Sequence, residues 1–192
     1  MTARERILAA SRTLFAERGF VACRVVDVAG RAGMSPGNVY WLFDSKEAIL
    51  QAILVDGFSS HEEMTAGVAD EYGPARRKLD LLVERTTAFY QANPEFIVIL
   101  GGLMGAGGRD LIGSLGFDLP EIERRSRANL RRVFAEARSE GAVEALDPDL
   151  LVAFYQALFD GLLITRGDLW PSLPSSALRD AALRLVGYRP AG

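Results

Sequence analysis

The side chains with the widest chemical repertoire are scarce here: the chain has one histidine, His61, and one cysteine, Cys23. A Ser-His-Asp or Cys-His nucleophile would have to be built on His61, and the pair cannot complete the usual zinc ligand sets. His61 stands in Ser59-Ser60-His61-Glu62-Glu63, a polar stretch that reads as a solvated helix face. A single cysteine allows no intrachain disulfide, which favours the cytoplasm. The run Gly101-Gly102-Leu103-Met104-Gly105-Ala106-Gly107-Gly108 lacks the Gly-Lys-Ser/Thr ending of a phosphate loop, and no strand precedes it. It reads as a flexible break between helices, beside a pocket entrance. The run Glu121-Ile122-Glu123-Arg124-Arg125-Ser126-Arg127, with Arg131-Arg132, reads as a solvated helix face held by i, i+4 pairs. No catalytic residue, metal site or cofactor is expected, and the chain is not expected to be an enzyme.

Binding an anion is chemistry the charge distribution does support. The net charge is −3, yet residues 1–50 hold seven basic and five acidic groups, a balance of +2 that leaves −5 for the remainder. The direction of this bias puts an anion-binding surface in the N-terminal quarter. Arginine outnumbers lysine twenty to two, Lys46 and Lys78 being the exceptions, which reads as the background of a GC-rich coding genome. No apolar run is expected to cross a bilayer, which takes about 18–20 residues. The charged start Met1-Thr2-Ala3-Arg4-Glu5-Arg6 does not read as a signal peptide.

The elements that must position such a surface are helices. Ile7, Leu8, Ser11, Leu14 and Phe15 share one face of a first helix closed by Gly19. Val25, Val28, Ala29 and Ala32 mark a short second helix ended by Gly33. Ser35-Pro36 starts a third, to about Phe43, with serine as cap and proline in the first turn. Asp44 or Ser45 caps a long fourth. Beyond residue 70, Pro and Gly punctuation gives five more, starting near Pro74, Glu95, Leu119, Leu150 and Ser175, with a turn at Pro171–Pro174. The expectation is an all-α fold of about nine helices without strands or repeats.

The first three helices, with the turn Ala32-Gly33-Met34-Ser35, match the helix-turn-helix plan, in which two helices hold a third in the major groove. Gly33 supplies the positive φ of a tight helix-helix turn. The stretch Val28-Ala29-Gly30-Arg31-Ala32-Gly33-Met34-Ser35-Pro36-Gly37-Asn38-Val39-Tyr40-Trp41-Leu42-Phe43-Asp44-Ser45-Lys46-Glu47 resembles the signature of the tetracycline-repressor (TetR) family. Leu14-Phe15-Ala16-Glu17-Arg18-Gly19-Phe20 resembles the end of that family's first helix, and the likeness runs over about residues 4–54. By this resemblance Tyr40 and Lys46 contact phosphate, and Gly37 lets backbone approach DNA closely. Ser35, Pro36, Asn38 and Trp41 face the groove, with Asn38 best suited to a base edge. Val39 and Phe43 are core. Trp41 has a second reading as a packing residue, and Asn38 as a phosphate or water contact. Where the family commonly carries a Thr or Ser pair before the second helix, this chain has Cys23-Arg24, a weaker cap but an added charge near the DNA backbone. Leu42 replaces a frequent His and cannot donate to phosphate.

Residues 55–192 are expected to form a ligand-sensing and dimerisation domain. Ala137–Val143, Leu146–Leu150 and Phe159–Leu163 resemble stretches around the family's dimer-forming helices. The resemblance implies that Leu150–Leu163 and Ser175–Val186 pair with their copies in a four-helix bundle. Phe154, Leu158, Leu178, Ala181 and Leu185 would then face the partner, or else the intrachain core. Pocket candidates are Phe89, Phe96, Leu100, Met104, Phe117, Phe134 and Tyr155, each with a second reading as core. The function implied is a dimeric repressor in the cytoplasm that binds a near-palindromic DNA operator and is released by a small-molecule effector, with no membrane partner. The alternative is a small-molecule-binding helical protein that has lost DNA binding.

Overall fold

The structure is a computed structural model and describes residues 1–105, 108–166 and 172–189. Ala106 and Gly107 of the glycine-rich run, and Pro171 of the expected turn, lie outside the described residues. Among the described residues there are ten α-helices and no strand: α1 (Ala3–Arg18), α2 (Val25–Ala32), α3 (Pro36–Leu42), α4 (Lys46–Ala69), α5 (Ala75–Ala92), α6 (Pro94–Leu103), α7 (Gly108–Ser114), α8 (Leu119–Ser139), α9 (Pro148–Arg166) and α10 (Ser175–Leu185). The helix missing from the sequence reading is α7. It has seven residues, begins in the glycine-rich run and contains Gly113, so neither periodicity nor propensity announces it.

Two compact units emerge, and they interleave along the chain. The first holds Met1–Phe58 and Glu95–Phe117; the second holds Ser59–Pro94 and the described residues from Asp118 on. In the first unit, Thr2 and Glu5 close a reciprocal cap on α1: the Glu5 amide donates to Thr2 Oγ1 (3.2 Å) and the Thr2 amide to Glu5 Oε2 (2.7 Å). Gly33, at φ +67°, turns α2 into α3 as expected, and the Met34 amide reaches back to the Ala29 carbonyl at 2.9 Å. Ser45 is the cap of α4, its Oγ accepting from the Ala48 amide at 3.0 Å. Ile7, Leu14, Phe15, Val28, Val39 and Phe43 pack together with Ile49, Leu50 and Ile53 of α4, all buried. Gly57 lets α6 lie against α4, because a Cβ there would stand 2.1 Å from the Phe96 ring.

In the second unit α5, α8, α9 and α10 pack around Leu79, Leu82, Phe134, Leu151, Tyr155 and Phe159. Lys78, 7% exposed, donates to Glu136 Oε2 (2.6 Å) and to the Ala69 carbonyl (3.1 Å), so one ammonium ties the end of α4 to α5 and α8. Helix α9 contains an 18-residue window, Pro148–Thr165, long and apolar enough by length and composition alone to cross a bilayer, a test that core helices also pass, with 33% of it buried. The physical reason is that α9 is apolar on two faces. Leu151, Tyr155 and Phe159 fill the unit's core, whereas Leu150 (49% exposed), Phe154 (40%) and Ile164 (58%) stand outside it.

Candidate nucleic-acid interface

The third helix sorts its side chains sharply. Val39 is fully buried and Phe43, just past the helix end, is 6% exposed; four residues apart, they point at the core. Ser35, Pro36, Gly37, Asn38, Tyr40 and Trp41 line the opposite side and all are exposed, while Met34 in the turn before them is half-buried. Tyr40 is 54% and Trp41 84% open, so a packing role for Trp41 within the first unit is not what the structure shows. Ser35 Oγ accepts from the Asn38 amide at 3.3 Å, which fixes the start of the helix and leaves the Asn38 side chain free of that bond. Pro36 takes the position where its missing N–H costs nothing. Leu42 is half-buried.

Two cations border this face in different ways. Arg24 is exposed, and Asp27 reaches back to it, accepting from its backbone amide at 3.0 Å and more weakly from Nε at 3.4 Å. Half of a capping box therefore replaces the hydroxyl pair absent at this point, and those hydrogen bonds hold the Asp27 carboxyl below its usual value. Lys46, expected at a phosphate, turns inward in the free protein. Its Nζ donates to the carbonyls of Phe20 and Cys23 at 2.8 Å each, approaches Val21 O at 3.4 Å, and lies 4.2 Å from the centre of the Phe20 ring. An ammonium has three donors, and all three face the turn between α1 and α2. Lys46 is a staple for that turn in the free protein.

A family model described as bacterial regulatory proteins of the tetR family matches residues 7–53, the segment that carries this geometry. The HTH-type transcriptional repressor KstR2 of Rhodococcus jostii (strain RHA1) is 40% identical over 93 residues, 46% of this chain and 42% of that protein. The matched region thus spans less than half of that relative's length. The likeness in fold runs over nearly the whole chain. The TetR family regulator PfmR from Thermus thermophilus superposes with a TM-score of 0.76 at 20% identity, covering 96% of this chain and 100% of that one. Residues 7–53 therefore carry the TetR-family helix-turn-helix, on a chain with the fold of TetR-family regulators. FadR from Bacillus subtilis, solved in complex with stearoyl-CoA, has the same fold, with a TM-score of 0.72 at 22% identity over 95% of this chain and 97% of that one.

Outside the helix-turn-helix, the expected pocket residues are distributed over both units. Phe96, Leu100, Met104 and Phe117 belong to the first. There Phe58 stands edge-on to Phe96 (6.0 Å between ring centres) and to Phe117 (5.5 Å). Phe89, Phe134 and Tyr155 belong to the second, within a run of rings: Phe134–Tyr155 at 5.8 Å, Tyr155–Phe159 at 4.8 Å and Phe159–Tyr90 at 5.9 Å. The Tyr155 hydroxyl donates to Thr86 Oγ1 at 2.7 Å. His61 ends this run and is not a solvated surface residue. It is half-buried, stacked on Tyr90 at 6.3 Å and edge-on to Phe89 at 5.4 Å, and desolvation pulls its imidazole down to about 4. The signal that finds it is helical: Leu54, Phe58, His61, Thr65 and Val68 recur at spacings of four and three on α4.

The expected partner-facing residues divide as well. Phe154 and Leu185 are 40% and 46% exposed. Leu158 and Ala181 are half-buried. Leu178 is 5% exposed and belongs to the intrachain core, because it faces α5 from α10. Among the described residues no three His, Cys, Asp or Glu side chains come together as metal ligands.

Proposed function

We propose that this chain is a ligand-responsive transcriptional repressor that binds a near-palindromic operator as a homodimer and is released by a small molecule. The observation that carries this reading is the outward face of α3, where Asn38, Tyr40 and Trp41 are set against a buried Val39 and Phe43. A helix held from behind and polar-aromatic in front is what a major groove accepts. Asn38 reads a base edge, Tyr40 and Arg24 meet phosphate, and Gly37, Ser35, Pro36 and Trp41 lie against the groove. Residues 1–54 are the DNA-binding domain and residues 55–192 sense the effector and dimerise.

Leu150, Phe154 and Ile164 of α9, with Leu185 of α10, form the apolar surface that a second copy covers. The dimer sets two α3 helices roughly 34–36 Å apart, one turn of DNA. An effector that favours another spacing withdraws the protein from the operator by shifting populations. FadR is a neighbour solved with an acyl-CoA, and KstR2 is named a repressor, which supports ligand-released repression here. The action is binding rather than catalysis, and it takes place in the cytoplasm with the DNA.

Selection from a random duplex library with purified, ligand-free protein tests the proposal. Enrichment of an inverted repeat is expected. An unenriched pool at low salt overturns unaided operator binding and favours a helical protein that only binds a small molecule.

A further inference from the structure

Within the first unit a cleft of about 700 Å³ opens between the turn that follows α1 and the α6–α7 pair. Phe15, Phe20 and Val21 form one wall; Val98, Ile99 and Leu111 form the other. The volume is in the range of small-molecule sites, ~300–1,000 Å³, and the walls are apolar.

Two observations indicate what the cleft would take. Gly102 lines it from inside α6, where glycine weakens a helix relative to alanine. A Cβ built there meets nothing within 4 Å and the backbone is not left-handed, so neither crowding nor turn geometry calls for glycine. What the missing side chain provides is room. The second observation is Arg18, exposed on the lining, with no ion pair or hydrogen bond to any described residue. Nearby Arg31 and Arg24 are bonded by Glu17 and Asp27, whereas Arg18 makes no such bond and senses Asp27 only at longer range, and the Lys46 ammonium adds positive charge on the same turn.

We propose that this cleft binds an apolar organic monoanion. Its hydrocarbon body lies between α6 and the turn after α1, and its carboxylate or sulfonate pairs with Arg18. The occupant bears on DNA binding because the turn it presses is the one Lys46 staples to the start of α4.

The test uses the full chain, a photoreactive diazirine analogue of decanoate, and mass spectrometry of the labelled peptides, with decanoate and decan-1-ol as competitors. Adducts are expected in residues 15–22 and 98–111. Gly102→Leu, which projects a side chain from the cleft lining, should lose them. Arg18→Gln should weaken competition by decanoate about tenfold while decan-1-ol competes as before, since the variant removes a charge-assisted contact and no apolar surface. Arg18 is exposed, so that variant keeps the test decisive if Gly102→Leu fails to fold. Adducts confined to residues 59–94 or 118–189, adducts that survive Gly102→Leu, or an equal effect of Arg18→Gln on acid and alcohol would each overturn the proposal. The readout is the position of the adduct, so a protein that bound no operator would still give an answer.

Discussion

The α3 helix and the run of rings around His61 use aromatic side chains in opposite ways. On α3, Trp41 and Tyr40 stand 84% and 54% exposed, on a helix of seven residues. In the second unit Phe134 and Phe159 are 1% and 2% exposed and touch other rings. An indole left in water contributes almost nothing to folding, whereas a buried phenyl ring contributes several kcal/mol. Residue type therefore does not assign the role. Aromatic rings held outward are open to a partner, and those turned inward hold their own unit together.

The largest effect should come from the inward set. Phe159→Ala is expected to cost about 3–5 kcal/mol in denaturant unfolding, because it removes a ring from the packed run and leaves a cavity. A cost below about 1 kcal/mol would break the contrast by showing the ring site to be loosely filled. Next is Lys46→Ala, expected to cost about 2–3 kcal/mol because it leaves the carbonyls of Phe20 and Cys23 without their donor. Lys46→Arg should recover little of this in the same unfolding experiment, since a planar guanidinium cannot face three carbonyls of one turn at once. A pure phosphate contact would instead leave stability unchanged and flatten the salt dependence of DNA binding by about one unit.

His61 gives a smaller, pH-dependent effect. Its ordinary value is 6.5 and the folded chain lowers it to about 4. The unfolded chain takes up a proton as pH falls below 6.5, and the folded chain refuses it until near 4, so stability is complete above that window and lost through it. The loss should be about 2 kcal/mol after allowing for solvent at the ring's edge, and His61→Phe should abolish it in thermal melts across the window. The smallest change in stability belongs to α3. Trp41→Ala and Asn38→Ala should each stay within ~0.5 kcal/mol of the parent in unfolding. In binding assays with an enriched duplex, Asn38→Ala should shift base preference by about 1–3 kcal/mol. A melt lowered in step with DNA affinity would mean that these side chains support the helix.

The same contrast explains what can be read in the sequence. Helix order, the Gly33 turn and the buried Val39 and Phe43 follow from short-range spacing and capping, which a linear pattern records. Lys46 is legible as a cation and not as a staple, because its acceptors lie more than twenty residues earlier in the chain. His61 is hidden by its polar neighbours Ser59, Ser60, Glu62 and Glu63, which occupy the other sides of the same helix turn. Residue type picks out the pocket candidates, and chain distance gives no means of sorting them between two interleaved units. For the partner-facing set, the pattern offers two apolar faces on α9, and only the inward turn of Tyr155 and Phe159 chooses between them.

Both lysines of the chain are committed to main-chain oxygens: Lys46 to the turn after α1, and Lys78 to the Ala69 carbonyl beside Glu136. The remaining positive side chains are arginines, which amine-directed reagents do not touch. Acylating labels and aldehyde crosslinkers therefore find no lysine whose ammonium lacks a carbonyl partner. Any enzyme that acetylates lysine would have to open a turn or a helix end first. For anyone immobilising this protein on an amine-reactive surface, slow coupling through lysine would report local unfolding rather than poor chemistry.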